Sequence, residues 1–342
     1  MKLKNKYVFG CLVQFYELEM LDEHIQSCVQ MLEGIENKKN VTFIFTLSIQ
    51  EYFEKINFEY FKKTYGDKDA EFFEFDDCVQ SDIISLFRDK VQQTHLRSQR
   101  KDSANVIIHI KSNTDPFYNI ADFRRELNYN NCKEVDLVCW SETDSLWPKQ
   151  TLHLLEELHE SVKSTTPKYV VNFADRKLWD NSFAPLHPMF QNTIIIDELV
   201  DEASGKAYMS LERMNEINDI SMDEVFVNRF TEPRFDGSCV CFSSELLKSG
   251  VNIPHSLLLA GEDSAMAKIT KKLIGDNFVQ YNFSNVLHVH NRRHPNKRTG
   301  VLNEDNPQGF CDERKGDWWT ELEKKSKFNL NTLFDQEKFK TV

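Results

Sequence analysis

Five short apolar runs recur along the first half of the chain, with helix-patterned segments between them. Residues 7–15, 41–47 (VTFIFTL), 105–110 (NVIIHI), 135–140 (VDLVCW) and 168–173 (KYVVNF) are each bounded and too short for buried helices. Runs of this length, rich in β-branched and aromatic residues, read as strands buried on both faces. Between the first two, Leu21, Ile25, Cys28, Val29 and Leu32 repeat at helical spacing before Gly34. Strands alternating with helices in this way predict an α/β fold, a mainly parallel mixed sheet flanked by helices.

Further elements follow from the same patterns. Residues 50–102, rich in Phe, Asp, Glu and Lys, read as a helical insertion without a chemical motif. Residues 121–131 form a helix that carries Arg124 and Arg125, and another helix opens at Pro148, where proline suits a first turn. Residues 175–230 read as irregular or loosely helical. Strands are expected at 238–242, 278–282 and 286–289, and helices at 244–249 and 263–274. After about residue 300 the chain is polar and mostly helical, with Trp318, Trp319, Phe328, Leu330 and Leu333 set to pack back. These boundaries give one domain over residues 1–295 and a helical C-terminal extension over 296–342.

Three segments carry chemistry. The run at 135–140 ends in Ser141-Glu142-Thr143-Asp144. Strand alternation points Glu142 and Asp144 the same way, at the carboxyl edge where open α/β sheets bind ligands. Two converging carboxylates can hold a divalent cation and, through it, a diphosphate. Taken alone, the triplet also suits a solvated acidic turn.

The second segment, Gly261-Glu262-Asp263-Ser264, opens a helix. An acid there can cap the helix or sit on the positive end of its dipole. It can equally serve as a general base toward a hydroxyl nucleophile. In the third, Val286 to His294 (VLHVHNRRH), His288 and His290 share one strand face, and neutral imidazole binds divalent cations. Arg292, Arg293, Lys297 and Arg298 would complement phosphates. A surface loop is the plainer reading for His294, Lys297 and Arg298. A zinc site on His288, His290 and His294 is a rival that lacks a fourth ligand nearby.

Composition narrows the partners. The chain has 342 residues, 40% hydrophobic and 28% charged, as in an ordinary soluble globular protein. Its net charge of -12 argues against sequence-independent binding to nucleic acid or an anionic membrane. The basic N-terminus precedes an apolar run too short for a signal peptide, and no run is long enough to cross a bilayer. Eight cysteines without a CxxC pair read as reduced thiols of a cytosolic protein.

In order and spacing, these pieces over roughly residues 7–290 resemble a GT-A glycosyltransferase of the family 2-like group. The segment from Phe15 to Leu21 (FYELEML) resembles that family's first strand end, acidic turn and helix. Residues 119–128 resemble the segment ahead of its metal motif, and Glu142-Thr143-Asp144 stands at the DxD position. Trp147-Pro148 fits the sequel. Phe235-Asp236-Gly237-Ser238 and the residues through Gly250 resemble the acceptor-side strand and helix, and Glu262-Asp263 the ED motif.

The resemblance implies a soluble, cytoplasmic enzyme of a bacterium or a phage-infected host that depends on Mn²⁺ or Mg²⁺. It would move a sugar from a nucleoside diphosphate to a hydroxyl, on a saccharide acceptor or a hydroxymethylated DNA base. Asp144 would hold the metal, Glu142 would reach the metal or the ribose, and His288 or His290 would complete the ligand set. Tyr16, Glu17, Arg124, Arg125, Arg292 and Arg293 would contact the donor. Asp263 would be the base, with Glu262 orienting it or the acceptor, which favours an inverting reaction. Gly-Glu-Asp followed by a downstream histidine also resembles retaining GT-A enzymes. Two features depart from the family pattern: the second strand ends Phe45-Thr46-Leu47-Ser48 without an acid, and the triplet begins with Glu. The residues also admit a non-catalytic module that binds nucleotide or saccharide, and the zinc hydrolase.

Overall fold

The computed structural model describes residues 1–14, 18–49, 77–92, 103–112, 115, 118–177, 200–201, 206–207, 209–235, 237–258, 261–291 and 317–333. The expectations for Tyr16, Glu17, Asp236, Arg292, Arg293, His294 and most of 50–102 lie outside these residues.

The expected α/β architecture is present. β1 (Tyr7–Gln14), β2 (Val41–Ser48), β3 (Asn105–Lys111) and β4 (Leu137–Glu142) pair in parallel in the order β3-β2-β1-β4. β10 (Cys239–Ser243) runs antiparallel to β4 and to β6 (Tyr169–Lys177). β6 pairs in parallel with β11 (Val279–His290), whose end pairs with the two-residue β5 (Ser145–Leu146). With β9 (Val227–Phe230) on β11, the sheet has nine strands among the described residues. β7 (Val200–Asp201) and β8 (Lys206–Ala207) form a separate ribbon.

Both faces of the sheet are covered over β1, β2 and β4, which is why these strands read as continuous apolar runs. The edge strand β3, expected to be buried on both faces, instead alternates between exposed and half-buried residues, because among the described residues nothing covers one of its faces. Along β1, Tyr7, Phe9, Cys11 and Val13 enter one core cluster, and Val8 and Leu12 the other. The first cluster takes in α1 (Leu18–Met31), α2 (Asp77–Gln92) and α4 (Thr151–Val162). The second takes in α3 (Ile120–Asn131), α6 (Ser244–Lys248) and α7 (Glu262–Ile274). Gly10 lets α3 come close, since a Cβ there would lie 2.4 Å from a methyl of Leu127. No helix among the described residues is long and apolar enough to cross a membrane.

Three further expectations are revised. The separate strands expected at 278–282 and 286–289 are one strand, β11, with a register shift between Phe283 and Leu287. Its second half is held by β6, which continues past the apolar run through Ala174-Asp175-Arg176-Lys177. Asp175, Arg176 and Lys177 carry no hydrophobic signal; pairing with β11 extends the strand. The region 175–230 also holds α5 (Leu211–Ile217) and β9. In the C-terminal α8 (Asp317–Thr332), Phe328 is 58% exposed. Leu330 and Leu333 pack against the second cluster as expected, joined by Ser326 Oγ accepting from Leu258 N–H (3.0 Å) and Asn329 Nδ2 donating to the Ser256 carbonyl (2.6 Å). The side chains of Trp318 and Trp319 lie outside the described residues.

Candidate active site

β4 and β5 are separated by only Thr143 and Asp144, yet they join opposite parts of the sheet. β4 pairs with β1 and β10, while Ser145 and Leu146 of β5 pair with His290 and Val289 at the end of β11. The short turn therefore draws the end of β11 back to the end of β4. The Asn291 N–H closes this junction by donating to the Asp144 carbonyl at 2.7 Å. His290 Nε2 consequently lies 2.8 Å from Asp144 Oδ1 and 2.9 Å from Glu142 Oε2. One ligand atom from each of the three residues lies within 4.8 Å of the others.

Buried side chains fix the turn from beneath. Ser145 Oγ donates to the Glu142 carbonyl (2.7 Å), and Thr143 Oγ1 donates to the Leu12 carbonyl (3.3 Å). His24 Nδ1 is 2.6 Å from the Ser145 carbonyl, and its Nε2 is 3.2 Å from Ser141 Oγ. The same Ser141 Oγ accepts from Trp147 Nε1 at 2.9 Å. Such contacts hold the carboxylates ready, so little ordering remains for a ligand to impose.

Two carboxylates and one imidazole form a hard, oxygen-rich set that fits Mn²⁺ or Mg²⁺ better than the Cys- and His-rich sets of structural zinc sites. Charge points the same way. Glu142, Asp144, Glu262 and Asp263 are opposed nearby by Arg124 and His290, an imbalance that a divalent cation relieves. Burial disfavours the charged His290 ring, but Asp144 and Glu142 outweigh it and raise its pKa to about 9.

A metal ligand must present a neutral imidazole, so a cation bound by this group would compete with the proton for His290. Below about pH 9, apparent Mn²⁺ affinity should fall about tenfold for each unit of acidification. Titrations followed by electron paramagnetic resonance between pH 6.5 and 8.5 measure this, and a flat profile would remove His290 from the ligand set. Metal-free stability runs the other way. The raised pKa stabilises the fold fully below the ordinary histidine range, and that contribution is lost as pH rises through about 9.

Beside this group, Arg124 of α3 is fully buried, with its guanidinium 4.8 Å from the centre of the Trp140 ring. Its Nη2 donates to Glu142 Oε1 at 2.9 Å and to the Gly237 carbonyl, and its Nη1 donates to Glu262 Oε1. Gly261 takes a left-handed conformation (φ 87°) that a side chain would resist, and the chain then enters α7 with Glu262 and Asp263 in its first turn. Burial raises the pKa of Glu262, with Arg124 opposing and Asp263 and Glu142 adding to the rise. Asp263 is half-buried, and its Oδ1 accepts from the Ser264 N–H at 2.6 Å.

Two expected site residues stand apart from the cluster. The Arg125 guanidinium donates to the carbonyls of Ile253 (3.0 Å) and Pro254 (3.1 Å) and to Asp122 (2.6 Å), so it anchors the loop before α7. His288 Nδ1 is 2.5 Å from Asp175 Oδ1, and its ring packs edge-on against Trp147. It therefore lies outside the three-residue group. Sequence reading singled out neither Asp175 nor His24. The β6–β11 register that sets Asp175 opposite His288 has no local signal. Gly237 lay within the noted Phe-Asp-Gly-Ser segment, but nothing in it indicated that its carbonyl receives Arg124.

No protein-family model matches the chain, and no curated protein matches it in sequence. Several solved structures align with most of the chain at low similarity. S. aureus TarS (residues 1–349) aligns at 10% identity with a TM-score of 0.43, covering 97% of this chain and 73% of that one. A mycobacterial protein aligns at 12% identity and a TM-score of 0.40, covering 90% of this chain and 76% of that one. Glucosyl-3-phosphoglycerate synthase from Mycobacterium tuberculosis, solved with Mg²⁺ and uridine diphosphate, aligns at 11% identity and a TM-score of 0.39. That match covers 86% of this chain and 74% of that one. A likeness of this degree assigns no function.

Proposed function

We propose that the protein is a divalent-metal-dependent glycosyltransferase that moves a sugar from a nucleoside diphosphate to a hydroxyl acceptor. One observation carries the reading: Glu142, Asp144 and His290 converge at the carboxyl end of a parallel strand in an α/β sheet. Beside them, an arginine-tethered acid pair opens α7. In this reading Asp144 and His290 hold Mn²⁺ or Mg²⁺ directly, and Glu142 contributes the oxygen that Arg124 leaves unengaged. The bound cation would offset charge building on the departing diphosphate. Tyr16 and Glu17 follow β1 in sequence, Arg292 and Arg293 follow β11, and we assign all four to the donor.

The two acids of α7 differ in a way that sorts their roles. Glu262 is buried and bound to Arg124, whereas Asp263 is half-buried beside it. Asp263 is the base that takes the acceptor hydroxyl's proton as its oxygen attacks the sugar, which makes the reaction inverting. The net charge of -12 favours a saccharide acceptor over hydroxymethylated DNA.

The reading is tested first by thermal-shift and hydrolysis assays with UDP-, GDP-, dTDP- and CMP-sugars, with and without Mn²⁺. A donor at about a hundred times its dissociation constant stabilises the fold by about 2.7 kcal/mol. One nucleotide should give a metal-dependent shift; none doing so would refute a donor-binding enzyme. With the donor known, Asp263→Asn should slow transfer by about 10²–10⁴-fold while Mn²⁺ and donor affinities hold. Wild-type rates in that variant would remove Asp263 as the base.

A further inference from the structure

We infer that Arg124 is a positioning residue that orients the Glu142 carboxylate and locks the first turn of α7 to the metal group. The inference rests on the function proposed above. The family resemblance implied a donor contact for this residue, but the geometry assigns it different work. Arg124 is 0% exposed, and its two terminal nitrogens already serve three acceptors. The oxygens of Glu142 are divided: Oε1 meets Arg124, and Oε2 meets His290. That division fixes the carboxylate's rotation, with Oε2 aimed into the ligand group. Through Nη1 the same guanidinium holds Glu262, the neighbour in sequence of the proposed base. One planar group thereby ties α3, β4, the Gly237 turn and α7 together.

The task requires a fork and not merely a charge. A guanidinium donates along several fixed in-plane directions, whereas an ammonium is a compact point charge. Trp140 beneath the guanidinium restricts its plane. Gly237 makes room for it, because a Cβ there would lie 3.0 Å from Nη1 and force the fork to shift.

The test uses Arg124→Lys and Gly237→Ala in the full chain. Mn²⁺ binding without donor is followed by electron paramagnetic resonance, and steady-state transfer is measured at saturating metal. Groups that orient a metal ligand typically change metal affinity about 10–100-fold, so each variant should weaken Mn²⁺ binding by about tenfold or more. Each should also lower kcat more than it raises the donor KM, because α7 shifts with the fork. If Arg124 only balances charge, Arg124→Lys keeps wild-type Mn²⁺ affinity and kcat. If it contacts the donor, Mn²⁺ affinity stays constant and donor KM alone rises. Either result overturns the inference. Should circular dichroism show that Arg124→Lys fails to fold, Gly237→Ala decides alone. Absence of Mn²⁺ binding in the wild-type protein would refute the function reading itself. Binding in the wild type with unchanged affinity in both variants would refute only the role of Arg124.

Discussion

Asp144→Asn is expected to abolish metal-dependent transfer while leaving the fold intact. Asp144 is buried, lies within 2.8 Å of His290, and sits on a turn fixed by the Asn291 N–H. The amide keeps the shape and an oxygen able to accept from the ring, so packing around the turn survives. The anionic oxygen that would bind the cation is lost. Lewis-acid stabilisation by a metal is worth several kcal/mol, and each 1.36 kcal/mol is tenfold in rate, so a loss of about 10³-fold or more is expected. The His290 pKa should fall as well, since Asp144 is its main source of elevation against burial. Glu142→Gln should cost less, because one of that residue's oxygens is already committed to Arg124. Steady-state rates across a Mn²⁺ titration measure both effects. Wild-type turnover of Asp144→Asn at saturating Mn²⁺ would exclude Asp144 as a ligand.

Arg124→Met is expected to be the most destabilising single change near the site. It leaves the buried Glu262 and the Glu142 carboxylate without their shared cation. Removing one partner of a buried ion pair costs about 3–5 kcal/mol, a large share of the roughly 5–15 kcal/mol that stabilises a typical domain. The cost should depend on pH in a definite direction. Burial already raises the Glu262 pKa, and loss of Arg124 removes the opposing influence. A carboxyl whose folded pKa is raised weakens the fold as pH climbs through its unfolded and then its folded value. The gap between wild type and variant should therefore narrow toward acid pH, where Glu262 takes up a proton. Combining Arg124→Met with Glu262→Gln should recover part of the loss at neutral pH. Urea denaturation at several pH values tests all three statements. A loss under about 1 kcal/mol would show that the carboxylates find other partners.

Local pattern determined much of this protein. Strands buried on both faces are apolar at most positions, so β1, β2 and β4 stand out as runs, and helical spacing marks α1 and α7. The pairing of Glu142 with Asp144 at a strand end, and of Glu262 with Asp263 at a helix start, was legible for the same reason. Each pair depends only on neighbours in the chain. Tertiary structure decided which of these pieces meet. His288 and His290 are equivalent by alternation, yet only His290 joins the carboxylates, because the β5–β11 register sets it opposite Ser145. Arg124 and Arg125 are adjacent in sequence, and the rotation of about 100° between them along α3 sends one to Glu142 and Glu262 and the other to the carbonyls of Ile253 and Pro254. The β5–β11 register and the docking of α3 against α7 and the loop before it arise from contacts between segments more than a hundred residues apart. Composition and periodicity within any one segment carry no record of such contacts.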